Sequence, residues 1–195
     1  MAGHVSVLLD ECIEYLNIKP DGIYVDGTLG LGGHSSGIAR RLNGGRLIAI
    51  DRDLASIGRA TERLAPWADR VTIVHGNFRD VAAILDEQGI EAVDGMLFDL
   101  GVSSPQLDDG QRGFSYMQDA PLDMRMDPSD NVDAWFIVNR WPEEKIARIL
   151  RDYGDERYAK RIASAIVARR QDKEIETTLE LVDVIKSAMP AAALR

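Results

Sequence analysis

The stretch Tyr24-Val25-Asp26-Gly27-Thr28-Leu29-Gly30-Leu31-Gly32-Gly33-His34 constrains this chain more than any other feature. A short β-branched and aromatic run, Ile23–Asp26, enters it, and a helical pattern over 33–42 leaves it. Glycines at such a junction allow tight turns and let a ligand touch the main chain. The helix start behind them offers unpaired N–H groups. A strand–turn–helix unit of this kind needs parallel neighbours, and the next segments supply them. Arg46–Asp51 is a largely apolar run bounded by Gly44-Gly45, as a buried parallel strand requires. Asp53 is placed to N-cap a helix running to Leu64. Val71–His75 reads as a third strand, 81–88 as a helix stopped by Gly89, and 92–100 as a fourth strand. The β-α-β-α-β-α-β order predicts an α/β fold, a Rossmann-like doubly wound parallel sheet of about four strands.

The pattern changes after Gly101. Residues 101–130 are rich in Ser, Pro, Gly and Asp and show no clear element, and a loop this long is usually functional or mobile. From about Asn131 the spacing is helical throughout. Pro142 is expected at a helix N1 position, and the last helix is expected to start near Thr177. The division expected is a core over 1–113, a linker over 114–130 and an all-helical domain over 131–195. Hydrophobic residues at 45% suffice for a core, and charged residues at 28% suit a globular surface. The single cysteine, Cys12, excludes an intramolecular disulfide; its spacing with Val7, Leu8 and Leu16 places it in the core. The reducing environment that this suggests, no run near the ~20 apolar residues needed to span a bilayer, and no basic leader point to the cytoplasm and away from membranes. The net charge of −9 argues against a nucleic-acid partner until it is resolved along the chain. Residues 1–133 hold 11 Lys/Arg against 22 Asp/Glu, whereas 134–175 hold 10 against 7, a net of +3.

Four features carry chemistry. The glycine turn suits either a dinucleotide pyrophosphate or the amino-acid end of S-adenosylmethionine. Strict dinucleotide spacing fails, since the third glycine position is Ser35. Asp51 ends the second strand 19 residues after Gly32, where a carboxylate can accept from ribose hydroxyls. Gly76-Asn77-Phe78 follows the third strand; Phe78 could stack on an adenine face and Asn77 could bond its edge. Asp99-Leu100-Gly101-Val102-Ser103-Ser104-Pro105-Gln106 follows the fourth strand, at the carboxyl edge where open α/β sheets bind ligands. A cytosine amine is a poor nucleophile because its lone pair is delocalised, so a site for it needs acceptors that hold the amine hydrogens. Pro105 lacks an N–H and biases this loop toward carbonyl acceptors. The loop is related to the Ser/Asn/Asp-Pro-Pro-aromatic loop of amino-methyltransferases, with Gln106 where the pattern departs. The three histidines, His4, His34 and His75, are scattered, so no metal is expected. Direct transfer would rest on positioning and electrostatics.

Together these stretches resemble the MraW-type (RsmH) bacterial 16S ribosomal RNA cytosine N4-methyltransferases over essentially all 195 residues. The resemblance runs through His4-Val5-Ser6-Val7-Leu8-Leu9, the turn from Asp26 to Ser35, Ala49 to Asp53, Asn77-Phe78, Asp94-Gly95 and Asp99 to Asp108. It continues through Arg112 to Ser115, Pro121 to Met126, Tyr153 to Glu156 and Thr177-Thr178. It implies a class I methyltransferase core with a helical insert, S-adenosylmethionine as cofactor, one cytidine of the decoding region as target, and possible dimers. It implies cofactor contacts at Gly32, Gly33, His34, Asp51, Phe78, Asp99 and Gln106. Asp99, Ser103, Ser104, Pro105 and Asp123 are the catalytic candidates, with Asp99 and Asp123 as possible proton acceptors. Arg148, Arg151, Arg157, Lys160, Arg161, Arg169 and Arg170 would hold RNA phosphates. Members of the resembled family continue past the position of Arg195. A truncated chain is therefore expected, with an apolar edge on the fourth strand and weak or no activity. The rival readings are a cofactor- or RNA-binding module without activity, an NAD-dependent oxidoreductase, and DNA amino-methylation.

Overall fold

The computed structural model describes residues 6–193, so His4, Val5 and Arg195 lie outside the described residues. The chain divides into two compact units, one through Gly101 and the other from Val102 on.

In the first unit, four parallel strands, β1 (Ile23–Asp26), β2 (Arg46–Asp51), β3 (Val71–His75) and β4 (Gly95–Leu97), lie in the order β3-β2-β1-β4. Sequence-adjacent strands step outward from β1 to β3, and β4 then returns to the other side of β1. The reversal falls between β1 and β4, the switch point at whose carboxyl edge open sheets form a crevice. Right-handed crossovers on either side of that reversal send the helices to opposite faces. Accordingly, α2 (Gly33–Ala39) and α3 (Leu54–Leu64) join α1 (Leu9–Leu16) over one face, where Tyr24, Leu47 and Ala49 meet Ile38, Leu42, Ala60 and Leu64. On the other face Val25, Ile48 and Ile50 meet Ile84, Leu85 and Ile90, the first two from α4 (Val81–Glu87). Leu47, Ile48 and Ile50 are wholly buried, and each such side chain contributes about 2 kcal/mol by leaving water.

The strands and the starts of α2, α3 and α4 fall where the sequence places them, whereas α1 is not among the expected elements, and three further differences appear. The fourth strand covers Gly95–Leu97 rather than 92–100, because β1 offers it only the register Tyr24↔Gly95 to Asp26↔Leu97. Beyond Leu97 the backbone turns away, and the Asp99 N–H donates to the Thr28 hydroxyl at 2.7 Å. Helix α2 stops at Ala39, with Arg41 and Leu42 closing a tighter turn onto Ile38 and Ala39. Cys12 is only half-buried, while Val7 and Leu8 are exposed; Ile13 is the residue of α1 that reaches the core. β4 lies at the sheet edge, and Met96, Phe98 and Leu100, in alternate positions, are exposed.

The second unit contains α5 (Ser104–Asp108), α6 (Ala134–Arg140), α7 (Glu143–Asp152), α8 (Ala159–Asp172) and α9 (Thr178–Ala188). Pro142 serves as the N-cap of α7 rather than its first residue, with extended backbone at ψ 148°. Thr177 caps α9 by accepting the Glu180 N–H. Leu122, Val138, Ile146, Ile162, Ile166, Ile175 and Val184 form the core. The stretch expected as a linker, 114–130, sends Ala120 and Leu122 into the interior and is stitched to the helices. Leu122 N–H donates to the Glu176 carbonyl, Thr178 N–H to Ala120, and Trp135 N–H to Leu122. Asn139 joins α6 to the start of α9: its amide donates to the Ile175 carbonyl at 2.8 Å and accepts the Ile175 N–H at 2.9 Å. Among the described residues no helix is long and apolar enough to cross a membrane.

Asn139→Ala strands both buried main-chain groups of Ile175, each costing about 1–3 kcal/mol. We expect a loss of about 2–4 kcal/mol by urea denaturation, and an undiminished midpoint would contradict this role.

Candidate functional site

Two carboxylates shape the turn between β1 and α2. Asp26, at the end of β1, is wholly buried; its Oδ1 accepts the Thr28 N–H at 3.1 Å and its Oδ2 accepts the Ser35 hydroxyl at 2.6 Å. Burial pushes the Asp26 carboxyl above its ordinary range, and the Ser35 hydroxyl, the Thr28 N–H and the nearby His34 oppose that shift. Ser35 therefore stands at the third glycine position of the dinucleotide pattern because its hydroxyl solvates a buried acid. Asp51, ending β2, accepts the Gly30 N–H at 2.6 Å through Oδ2 and the Asp53 N–H at 2.9 Å through Oδ1. Gly30 and Gly32 have φ of 51° and 75°, the left-handed region that other residues enter at a cost. The glycine turn, the acid of β2 and the Asp53 cap of α3 thus form one hydrogen-bonded set. A carboxylate has about four acceptor positions, so Asp51 keeps capacity for two further donors.

His34 lies in the first turn of α2 and is nearly buried. Its Nε2 is 2.9 Å from the Val7 carbonyl. A carbonyl only accepts, so Nε2 carries the proton. Nδ1 faces Asp99 Oδ2 at 4.0 Å, and the Asp99 carboxylate is half-exposed. Phe78 follows β3 with its ring partly exposed, and it meets Phe98 edge-to-face at 5.5 Å. A side chain on Gly27 would overlap the Phe98 ring, so the missing Cβ admits that ring to the end of β1. Asn77 Oδ1 accepts the Arg79 N–H at 3.1 Å.

The first unit thus brings Gly32, Gly33, His34, Asp51, Phe78 and Asp99 to the carboxyl ends of its strands. Sequence reasoning missed Asp26, Thr28, Ser35 and Phe98 as builders of the site. The signal available was Asp26 itself, an acid inside an otherwise apolar strand end.

The other candidates belong to the second unit. Ser103, Ser104, Pro105 and Gln106 are not an open loop but the start of α5. The Ser103 carbonyl accepts the Gln106 and Leu107 N–H groups and the Pro105 carbonyl accepts that of Asp109, so the expected carbonyl acceptors are engaged. Gln106 is buried, with Oε1 accepting the Ser103 N–H at 2.9 Å. Ser103 and Gln106 form a capping box at the start of α5. Asp123 is gripped by Arg125: Nε donates to Oδ1 at 2.9 Å and Nη2 to Oδ2 at 2.7 Å. The Arg125 guanidinium holds the Asp123 carboxyl below the usual carboxylate range, a poor setting for a base. Of the seven basic residues, Arg148, Arg151, Arg157, Lys160 and Arg161 are exposed. Arg151 pairs with Asp152, Arg169 donates to the Lys173 carbonyl, and Arg170 donates to the Val138 and Trp141 carbonyls. Among the described residues no cluster of three or more His, Cys, Asp or Glu is placed to hold a metal.

A parallel sheet with its switch point, covered on both faces, with a glycine turn after β1, defines a Rossmann-like α/β protein. The sequence profile of the MraW methylase family matches residues 1–195, and the chain belongs to that family. It is 57% identical over 193 residues to ribosomal RNA small subunit methyltransferase H of Brevibacillus brevis, covering 98% of this chain and 62% of that protein. The protein of the same name from Clostridioides difficile is 54% identical over 191 residues, covering 97% and 61%. The chain thus spans about three fifths of the length of the curated relatives it matches. Among solved structures, an O-methyltransferase from Bacillus cereus aligns over 51% of this chain and 47% of its own, at 24% identity and a TM-score of 0.40.

Two outcomes are expected. Ser35→Ala and Ser35→Gly both leave Asp26 Oδ2 short of a donor, and thermal or urea unfolding should show a loss of about 1–3 kcal/mol. A more stable glycine variant would refute the assignment. Asp123 has a depressed folded-state pKa, so its contribution is present above the unfolded value near about 4 and is lost as pH falls through the folded one. Asp123→Asn should therefore cost about 1–2 kcal/mol at pH 7, a figure discounted for partial exposure, and the gap from wild type should close in acid.

Proposed function

We propose that this chain carries the S-adenosylmethionine site of a methyltransferase that modifies a cytidine amino group, at N4, in 16S ribosomal RNA of the small subunit. The observation that carries this reading is Asp51. It ends β2 beside the glycine turn, held in place by two main-chain donors while retaining acceptor positions. That is the donor–acceptor character a ribose diol requires. The turn with Gly30 and Gly32 in left-handed backbone gives the amino-acid end close access to main chain at Gly32, Gly33 and His34. The partly exposed Phe78 ring would stack on adenine, and Phe98 would set its tilt. Gln106 is kept as a cofactor contact of the whole protein on the family resemblance.

When bound, the cofactor would supply an electrophilic methyl group on sulfonium sulfur. What remains for the chain's own residues is to hold the substrate amine. Asp99 suits that role, because its backbone is pinned by Thr28 while its carboxylate remains half-exposed and able to accept an amine hydrogen. Asp123, both of whose oxygens are held by Arg125, is less suited, and we assign it to shaping the loop. On the family resemblance, Ser103, Ser104 and Pro105 are further candidates for the catalytic step. The names of the relatives support ribosomal RNA of the small subunit as substrate. Arg148, Arg157, Lys160 and Arg161 are the best placed for phosphates, since they are exposed and make no ion pair among the described residues. The cytoplasm is the compartment in which such a substrate would be met.

Calorimetry with S-adenosylhomocysteine tests the central claim. Asp51→Asn should weaken binding by about 10- to 100-fold, the loss of charge-assisted hydrogen bonds to the diol, with thermal unfolding showing a retained fold. Unchanged affinity in a folded variant would remove the basis for the reading. Radiolabelled methyl transfer to small-subunit RNA then tests the reaction itself.

A further inference from the structure

His34 does more in this structure than line a turn. Its Nε2–H is spent on the Val7 carbonyl at 2.9 Å, which fixes the tautomer of the neutral ring and leaves the Nδ1 lone pair bare. That lone pair faces one carboxylate oxygen, Asp99 Oδ2, at 4.0 Å. Two acceptors face each other here, and the arrangement becomes attractive only when a proton enters between them. The imidazole is nearly buried and the carboxylate half-exposed. Among the other charged groups, the Asp26 carboxyl interacts with the ring from the end of β1.

Resting on the proposed amino-methylation, we propose that His34 is the second proton acceptor of the site, receiving through Asp99 the proton that the substrate amine loses. The amine N–H bond breaks as an O–H bond forms on Asp99. That O–H bond then breaks as an N–H bond forms at His34 Nδ1, leaving a carboxylate beside an imidazolium. The electron pairs stay on nitrogen and oxygen, and no further reactant is consumed. The imidazolium returns its proton to water by the same route. His34 touches no reacting atom and is a positioning residue that keeps Asp99 ionised for each turnover. The Val7 carbonyl makes the device directional, because only one ring nitrogen is free to accept.

Nitrogen-15 histidine spectra of the whole chain read the pair without any turnover, since there are only three histidines to assign. We expect His34 to carry its neutral-state proton on Nε2, and Asp99→Asn to move the His34 Nδ1 resonance while leaving that of His75 in place. A proton on Nδ1, or a His34 signal indifferent to Asp99→Asn, overturns the pairing. His34→Gln keeps an amide N–H for the Val7 carbonyl and deletes the Nδ1 base. At saturating cofactor it should transfer methyl about 10- to 100-fold more slowly. Combined with Asp99→Asn it should be no slower than Asp99→Asn alone, as members of one unit behave. An unimpaired rate at saturating cofactor overturns the inference alone. Wild-type protein that transfers no methyl group overturns the methyltransferase reading and the relay with it.

Discussion

The double acceptance at Asp51 is the constraint on which the rest of the site depends. One side chain collects the N–H of Gly30, from the turn after β1, and the N–H of Asp53, which caps α3. Strands β1 and β2 are already paired in register, and the Leu29 N–H donates to the Ile50 carbonyl at 2.9 Å. The carboxylate extends that pairing past the end of the sheet, where main-chain partners run out. The left-handed glycines are thereby held in one conformation. A turn so held loses little further entropy when it meets a ligand, which is how preorganisation raises affinity.

Asp26 shows the same economy in a drier setting. An ionised carboxylate without partners would be very costly at a fully buried position. The Thr28 N–H and the Ser35 hydroxyl supply partners from both flanks of the turn, so the acid joins the strand end to the first turn of α2. Thr28 also uses its hydroxyl to accept from Asp99, which carries the connection across to the exit of β4. Three strand ends are thus linked by side-chain hydrogen bonds, beside the Phe78–Phe98 contact, at the edge where the sheet meets solvent.

The helical unit is organised by a comparable principle at larger separations in sequence. Asn139 grips both main-chain groups of Ile175, and the Thr178 hydroxyl accepts the Ala120 N–H and donates to the Gln118 carbonyl. Arg112 and Arg125 cinch the stretch between them: Arg112 donates to the Arg125 and Met126 carbonyls, and Arg125 to those of Pro128 and Asp130. A segment without regular elements is thereby ordered, because its buried polar groups find partners and its Leu122 finds the core.

The sequence by itself determined the alternation of strands and helices in the sheet, the bounds of β1, β2 and β3, the Asp53 cap and a last helix starting near Thr177. These follow from local rules: apolar runs, turn residues and caps act within a few positions. Only the tertiary structure decided which polar atoms remain available. Asp99 and Asp123 are equivalent acids along the chain, yet Arg125 takes both oxygens of one while the other stays half-exposed toward His34. The same holds for the half-burial of Cys12, the engagement of Arg169 and Arg170, and the membership of 114–130 in the helical unit. Each depends on packing or on partners that no local pattern identifies, and a hydrogen bond is specified by where two groups meet in space rather than by their spacing along the chain.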